Sequence, residues 1–268
     1  MTTTRPRSGY FKTGHPFNRI GDGPRDLIVF QGLMFENKPQ PIWFSRTYNF
    51  LSDRYTVYEV LRKPGMPAGY TIETMADDYA ELIKEEFEAP IDIIGQSTGG
   101  SIAIAFAVRH PDLVRKLVIH SSAYKLSESA RKLQKMVARQ GSERNWVGAY
   151  ANMMDYILPV KQPLRFLFQL VFPWISWSAG LFDHPRDASD LCVTVDAEDR
   201  FNYKTKLTDI KAPTLLAAGE KDPFYSPELF KDTAAGIPGA VRRQPWTARA
   251  AGDRGRFHPR CLQCRLDR

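Results

Sequence analysis

The stretch "IDIIGQSTGGSIAIAF", residues 91–106, constrains the fold of this chain more than any other feature. An apolar run stops at Gly95, Ser97 stands between glycines, and a second apolar run begins at once. We expect a buried strand before the turn and a helix after Gly99. The pattern predicts a tight strand-to-helix turn that pushes the Ser97 side chain out over the end of a sheet.

Strands and helices alternate on both sides of this turn. Asp26–Leu33 and Tyr55–Arg62 have the β-rich composition of strands, and Leu117–Ser122 follows as another. Thr71 is the predicted N-cap of an amphipathic helix, whose apolar residues recur at intervals of three and four. Strands that are apolar on both faces and separated by helices predict an α/β fold, with a mostly parallel sheet covered by helices on both sides.

The pattern changes twice later in the chain. An aromatic-rich helical segment interrupts the alternation, and strand character returns in Ala212–Phe224, followed by a short helix with Ser226 as its N-cap. We therefore expect four regions: a first part of the core at 1–122, a helical lid insertion at 123–205, a second part of the core at 206–240, and an Arg-rich tail at 241–268.

Three motifs give the chain a resemblance to the α/β-hydrolase superfamily of the serine type, from Asp26 to about Pro238. They are "GQSTGG" as the nucleophile elbow, "VFQGLM" as the oxyanion-loop segment and "PTLLAAGEKDPF" as the strand that delivers the acid. The glycines of the elbow provide room that so sharp a turn requires. Many relatives begin the oxyanion loop with His-Gly, whereas this chain has Gln31-Gly32.

The resemblance implies a role for several residues. Ser97 would be the nucleophile, and Asp222 the acid that orients a histidine. The backbone amide of Thr98, with one from Leu33 or Met34, would form the oxyanion hole. Asp222 is also a good turn residue in its own right, so its role depends on its place after Ser97 and after a strand.

A serine at this position implies hydrolysis through an acyl-enzyme. The substrate would be a small-molecule carboxylic ester or related acyl compound. The aromatic insertion suggests an apolar acyl or alcohol group, although the same aromatic residues could equally pack a lid onto the core. Acyl transfer to an acceptor other than water stays open, as does the oligomeric state.

The candidate general base is His258. Only His258 follows Asp222, and its surroundings, "GRFHPR", lack the glycine that usually precedes the base in this family. The other histidines are interpreted as structural or exposed. We place His15 ahead of the sheet, His110 at a helix end, His120 inside a strand and His184 in the insertion.

The tail raises a second possibility. After Pro238 we expect a buried strand and a closing helix, but beyond Val241 the chain has no Val or Ile and shows no strand or helix period. One hypothesis is a reading frame shifted near Ala240. The alternative function is then a catalytically inactive hydrolase-like protein that lacks the triad histidine and at most binds a hydrophobic ligand.

Composition excludes several other classes. Residues 242–268 hold eight Arg and two Asp, and so supply +6 of the net charge of +7, which leaves no basic patch for nucleic acid on the fold. The histidines and acids have no metal-ligand spacing, and "GQSTGGS" fits neither a P-loop nor a dinucleotide fingerprint, so no metal or cofactor is expected.

The three cysteines make no disulfide framework. Without a signal peptide or a membrane span in the sequence, we expect a cytoplasmic protein.

Overall fold

A computed structural model describes residues 7–40, 47–157, 171, 185–219 and 222–243. Within them, eight strands form one sheet in the order β1-β2-β4-β3-β5-β6-β7-β8. The strands are β1 (Ser8–Tyr10), β2 (Pro16–Ile20), β3 (Arg25–Phe30), β4 (Tyr55–Val60), β5 (Ile91–Gln96), β6 (Val114–His120), β7 (Thr214–Ala217) and β8 (Val241–Arg243). All pairs from β4 to β8 are parallel, and β2 is antiparallel to both of its neighbours. The mostly parallel sheet is confirmed.

Six helices accompany the sheet in the described part of the chain. They are α1 (Ile72–Glu86), α2 (Thr98–Arg109), α3 (Glu128–Ser142), α4 (Trp146–Ile157), α5 (Ser189–Arg200) and α6 (Pro227–Gly236). The predicted N-caps are confirmed, because the hydroxyl of Thr71 accepts from the Thr74 amide at 3.2 Å and that of Ser226 accepts from the Leu229 amide at 3.3 Å. Each cap satisfies an amide that has no partner inside its helix.

The two faces of the sheet have different covers. Alternate residues of each strand point to opposite faces, so Ile93 of β5 packs against α1 and α2, while Ile94 packs on the other side. On that second face, the cover within the described residues is a short 3₁₀ helix, Asn49–Leu51, together with Tyr48. The helical layer that the sequence predicts on both faces is therefore described on one face only.

The sheet begins earlier than the sequence analysis predicted. Strands β1 and β2 form an antiparallel hairpin that extends the sheet beside β4. The expectation that His15 precedes the sheet is wrong, because His15 lies in the hairpin turn. Its side chain is fully buried, with Nδ1 at 2.9 Å from the Thr13 hydroxyl, and burial lowers the pKa of His15 to about 3. Strands of three and five residues are too short to give a clear period in the sequence.

The start of the tail also differs from the prediction. Val241–Arg243 forms β8 and pairs in parallel with β7, so a strand is present where the sequence suggested none. Backbone hydrogen bonds of a ladder require no particular side chain, and therefore a three-residue strand escapes a search for alternating apolar residues. Residues 244–268, including His258, lie outside the described residues.

The predicted insertion is helical where it is described. Helices α3, α4 and α5 all lie between β6 and β7 in the chain. Helix α3 packs against both α4 and α5, and an apolar cluster containing Leu133, Trp146 and Leu191 joins the three. Trp174, Trp177 and most of the apolar segment from Phe166 lie outside the described residues.

A buried carboxyl joins the insertion to the strand-to-helix turn. Glu198 of α5 is 1% exposed and accepts hydrogen bonds from four side chains. The donors are the hydroxyls of Thr98 at 2.7 Å, Ser101 at 2.9 Å and Tyr225 at 3.3 Å, and the Gln134 amide at 3.1 Å. Two donors meet each carboxylate oxygen, which is the full accepting capacity of an ionised group. Burial nonetheless raises the pKa of Glu198, against the lowering effect of these hydrogen bonds.

We expect Glu198→Ala to lower the free energy of unfolding by about 3 kcal/mol, because it leaves several buried donors without an acceptor. Urea unfolding followed by circular dichroism measures the change. Glu143→Ala is the matched control, since Glu143 is exposed and its ion pair with Arg139 is worth less than about 1 kcal/mol. Equal effects of the two substitutions would contradict the role given to Glu198.

The raised pKa of Glu198 also predicts a pH dependence. A carboxyl that binds its proton more tightly in the folded protein favours folding at low pH, and this contribution is lost as pH rises through the folded pKa. The stability of the wild type relative to Glu198→Gln should therefore increase as pH falls from 7 toward the unfolded value of about 4.3. Urea unfolding of both proteins at pH 5 and 7 checks this, and a relative stability that decreases at pH 5 would contradict it.

Candidate active site

Ser97 occupies a strained position between β5 and α2. Its backbone has φ +51° and ψ −123°, a conformation that residues other than glycine rarely adopt. The turn is held by hydrogen bonds from the Ser97 amide to the His120 carbonyl at 3.0 Å and from the Gly100 amide to the Ser97 carbonyl at 2.7 Å. The Ser97 side chain is half-buried. The predicted turn therefore exists, with its serine at the tip.

Glycines are required around Ser97 because other parts of the chain approach closely. A Cβ at Gly99 would lie 1.9 Å from the Phe30 carbonyl oxygen, and one at Gly95 would lie 2.5 Å from the Ala103 Cβ. A Cβ at Gly100 would lie 2.3 Å from that of Ser122. Side chains at these positions would displace the backbone, so the glycines allow the start of α2 to pack directly on the sheet.

The loop after β3 comes close to Ser97. A Cβ placed on Gly32 would lie 3.2 Å from the Ser97 Cβ and 3.8 Å from its Oγ. Leu33 and Met34, the two predicted oxyanion donors in this loop, follow directly. Thr98 is the first residue of α2, where backbone amides have no partner within the helix and the helix dipole is positive. Candidate amide donors near Ser97 thus come from two segments of the chain, the turn and the loop.

Asp222 follows β7, which is separated from β5 by β6 alone. Its Oδ1 accepts from the amides of Phe224 at 2.9 Å and Tyr225 at 3.0 Å. Its Oδ2 makes no hydrogen bond to the residues that the structure describes, so among these residues only one of the two carboxylate oxygens has partners. This is the arrangement that a carboxylate needs to orient a histidine. The turn role and the catalytic role weighed for Asp222 are compatible, because they use different oxygens.

The described histidines are fixed by other contacts. His120 Nδ1 lies 2.8 Å from the Tyr48 hydroxyl, and burial lowers the pKa of His120 to about 4. His110 Nε2 contacts Asp77 Oδ1 at 2.7 Å at the surface of α1. His184 and His258 lie outside the described residues, so the predicted base stays a prediction.

Aromatic side chains of α4 pack against two segments next to the turn. Phe35, in the loop after β3, packs on Tyr150 of α4 with ring centroids 4.3 Å apart. Tyr156 of α4 packs on Phe224, beside Asp222, at 5.0 Å, and its hydroxyl donates to the Pro223 carbonyl at 2.7 Å. Helix α4 therefore contacts both the loop next to Ser97 and the turn that carries Asp222.

Two charged residues near the turn were missed in the sequence analysis. Glu198 contacts Thr98, as described above, and the fully buried Arg62 contacts the loop after β3. Neither belongs to a short motif, and each acts on a segment distant in the chain. Their burial could not be inferred from local sequence, because a charged residue normally predicts an exposed position.

The described residues contain neither a metal-binding cluster nor a membrane-spanning helix. No group of three or more His, Cys, Asp or Glu side chains there could hold a metal ion. Nor does any helix in that part of the chain have the length and apolar character needed to cross a membrane.

Comparison with known proteins places the chain among hydrolases. The model of the alpha/beta hydrolase family matches residues 35–258. The chain is 32% identical over 154 residues to a pimeloyl-[acyl-carrier protein] methyl ester esterase of Neisseria meningitidis, with 56% of this chain and 58% of that protein covered. It spans less than two thirds of the length of the curated relatives that it matches first.

Solved structures show the same fold. The enol-lactonase of Burkholderia xenovorans superposes with a TM-score of 0.67 at 19% identity, covering 86% of this chain and 87% of that one. A thermophilic esterase of Thermogutta terrifontis gives a TM-score of 0.64 at 21% identity, with coverages of 86% and 84%. Together with the family match over most of its length, this likeness shows that the chain belongs to the alpha/beta hydrolase family.

Proposed function

We propose that the protein is a serine hydrolase that acts on a carboxylic ester or a related acyl compound through an acyl-enzyme on Ser97. The observation that carries the proposal is the left-handed backbone of Ser97, at φ +51°, on a turn packed against Gly32. Such strain persists only where the surrounding structure enforces it, and it is concentrated at functional sites. The approach of Gly32 to its side chain distinguishes Ser97 from Ser121, whose φ of +48° is also positive.

In the proposed mechanism, Ser97 Oγ attacks the acyl carbon while a base takes its proton. The oxyanion forms next to the amides of Thr98 and of Leu33 or Met34. The base then gives its proton to the leaving alcohol, and the acyl group stays on Oγ. Water then attacks the acyl carbon and loses a proton to the base, which passes it to Ser97 Oγ as the bond between Oγ and the acyl carbon breaks and the acid leaves. Asp222 orients the base through Oδ2, while the Phe224 and Tyr225 amides fix Oδ1.

We assign the role of base to His258. It is the only histidine that follows Asp222 in the chain, and the family match extends to residue 258. The three described histidines make poor candidates, because His15 and His120 are buried with lowered pKa values and His110 contacts Asp77. The absence of a glycine before His258 and the Arg-rich tail favour the alternative, an inactive protein without a base.

For the substrate we propose a small molecule with an apolar acyl or alcohol group. The insertion at 123–205 would act as the lid over this group. Support comes from the partly buried apolar side chains that α4, the loop after β3 and the Asp222 turn bring together, which are Leu33, Tyr150, Met153, Tyr156 and Phe224. A relative named for a methyl ester is consistent with an ester bond, although that substrate belongs to the relative.

Ser97→Ala removes the nucleophile, so we expect turnover of a p-nitrophenyl acyl ester to fall by about 10³-fold or more, with the fold unchanged. Initial rates at 405 nm measure the loss. Ser142→Ala is the matched control, because Ser142 is exposed at the end of α3 and donates only to the Arg139 carbonyl. Turnover that survives Ser97→Ala would rule out the acyl-enzyme.

His258→Ala tests the base separately. If His258 takes the proton, the substitution should reduce kcat by about 10³-fold, while His110→Ala, which removes a surface contact with Asp77, leaves it unchanged. The same ester assay measures both variants. Activity that depends on Ser97 and persists in His258→Ala would show that another group is the base. A wild type without turnover would favour the inactive alternative.

A further inference from the structure

Arg62 is a buried cation beside the proposed site. It follows β4 and is 1% exposed, which places it among the largest fully buried side chains of the described chain. Burial lowers its pKa, and the charges of Glu198 and Asp190 act in the opposite direction. Burying a charge costs free energy unless the charge is hydrogen-bonded. The hydrogen-bond partners of Arg62 therefore indicate its role.

The partners of Arg62 belong to the loop next to Ser97. Its Nη1 donates to the Gln31 carbonyl at 3.1 Å, and its Nη2 donates to the Gly32 carbonyl at 3.0 Å. A longer bond of 3.4 Å joins Nη2 to Oδ1 of the buried Asn37. The guanidinium therefore holds two successive carbonyls of one loop, a geometry that its planar fork permits and a lysine ammonium does not reproduce.

Peptide geometry gives these two contacts a consequence for the amides. In a planar trans peptide, the C=O and N–H bonds point in opposite directions. With the carbonyls of Gln31 and Gly32 directed at Arg62, the amides of Gly32 and Leu33 face away from it. Successive amides on one side of the chain form a concave site for an anion. Gly32 is also the residue whose Cβ would approach Ser97 within 3.2 Å.

We infer that Arg62 is a positioning residue that fixes the Leu33 amide as the oxyanion donor of the loop. The inference rests on the proposed hydrolase function and selects Leu33 over Met34. Arg62 lies on the carbonyl side of these peptides, opposite their amides, so it contacts neither the substrate nor Ser97. Its positive charge also favours a negative charge that develops on the opposite side of the loop. The interaction is specific to the transition state, because the substrate carbonyl carries little charge before attack.

The test compares Arg62→Lys with the wild type in the ester assay. Lysine keeps the charge but cannot hold both carbonyls, so kcat should fall by about 10²-fold, the typical effect of losing one oxyanion donor, while KM changes by less than about threefold. Kinetic constants are expressed per folded molecule, measured by near-ultraviolet circular dichroism. A purely structural role would reduce the folded fraction and leave kcat per folded molecule unchanged.

Arg115→Lys is the matched control. Arg115 makes a bidentate contact with the buried Asp92, at 2.8 and 2.9 Å. Its replacement by lysine therefore also removes a paired guanidinium contact. Asp92 lies five residues before Ser97 on β5, about 16 Å away along the strand. We expect kcat of Arg115→Lys to stay within about twofold of the wild-type value, because loss of one oxyanion donor is what costs about 10²-fold. Equal losses of kcat in both variants would overturn the role of Arg62.

The outcomes separate the two proposals. A wild type that is active through Ser97, together with Arg62→Lys that keeps its kcat, overturns the positioning role alone. A wild type without turnover overturns the hydrolase proposal, and the Arg62 proposal falls with it.

If Arg62→Lys does not fold, kcat of Asn37→Ser is measured instead, because this substitution loosens the third contact of the guanidinium. A several-fold lower kcat then supports the role, and an unchanged kcat overturns it.

Discussion

The close contact between the start of α2 and the ends of β3 and β5 is the constraint on which the candidate site depends. A Cβ at Gly99 would lie 1.9 Å from the Phe30 oxygen and 2.7 Å from the Gln31 oxygen. The helix therefore presses directly on the chain that leads into the loop after β3. This contact forces the left-handed backbone at Ser97 and brings Gly32 beside it. One packing constraint thus sets the positions of Ser97, the first amide of α2 and the neighbouring loop.

Two buried ionisable side chains, which belong to neither the turn nor the loop after β3, stabilise the positions of these two segments. Arg62 holds the carbonyls of the loop after β3, and Glu198 holds the Thr98 hydroxyl at the start of α2. Each charge lies on a segment that is distant in sequence from the residue it contacts. Buried charges with several hydrogen-bond partners are geometrically demanding, since removal of one partner leaves the others unsatisfied. The two halves of the proposed oxyanion hole are consequently held by separate networks.

Much of the sheet and the strand-to-helix turn could be predicted from the sequence. Strands β3 to β7 are apolar enough to be identified one by one, and the glycines around Ser97 specify the turn. The hairpin of β1 and β2 and the three-residue β8 could not be predicted, because short strands at a sheet edge depend on pairing with a neighbour rather than on their own apolar pattern. The burial of Arg62 and Glu198 could not be predicted for a related reason, because it depends on contacts with residues that are distant in the chain.

Covalent labelling measures whether Ser97 is an activated nucleophile. The protein and Ser97→Ala are treated with a fluorophosphonate probe, and intact mass and peptide mapping follow. We expect one adduct per molecule, located on Ser97 and absent from Ser97→Ala. A folded wild-type protein that gains no mass, or that gains the same adduct in Ser97→Ala, would contradict it.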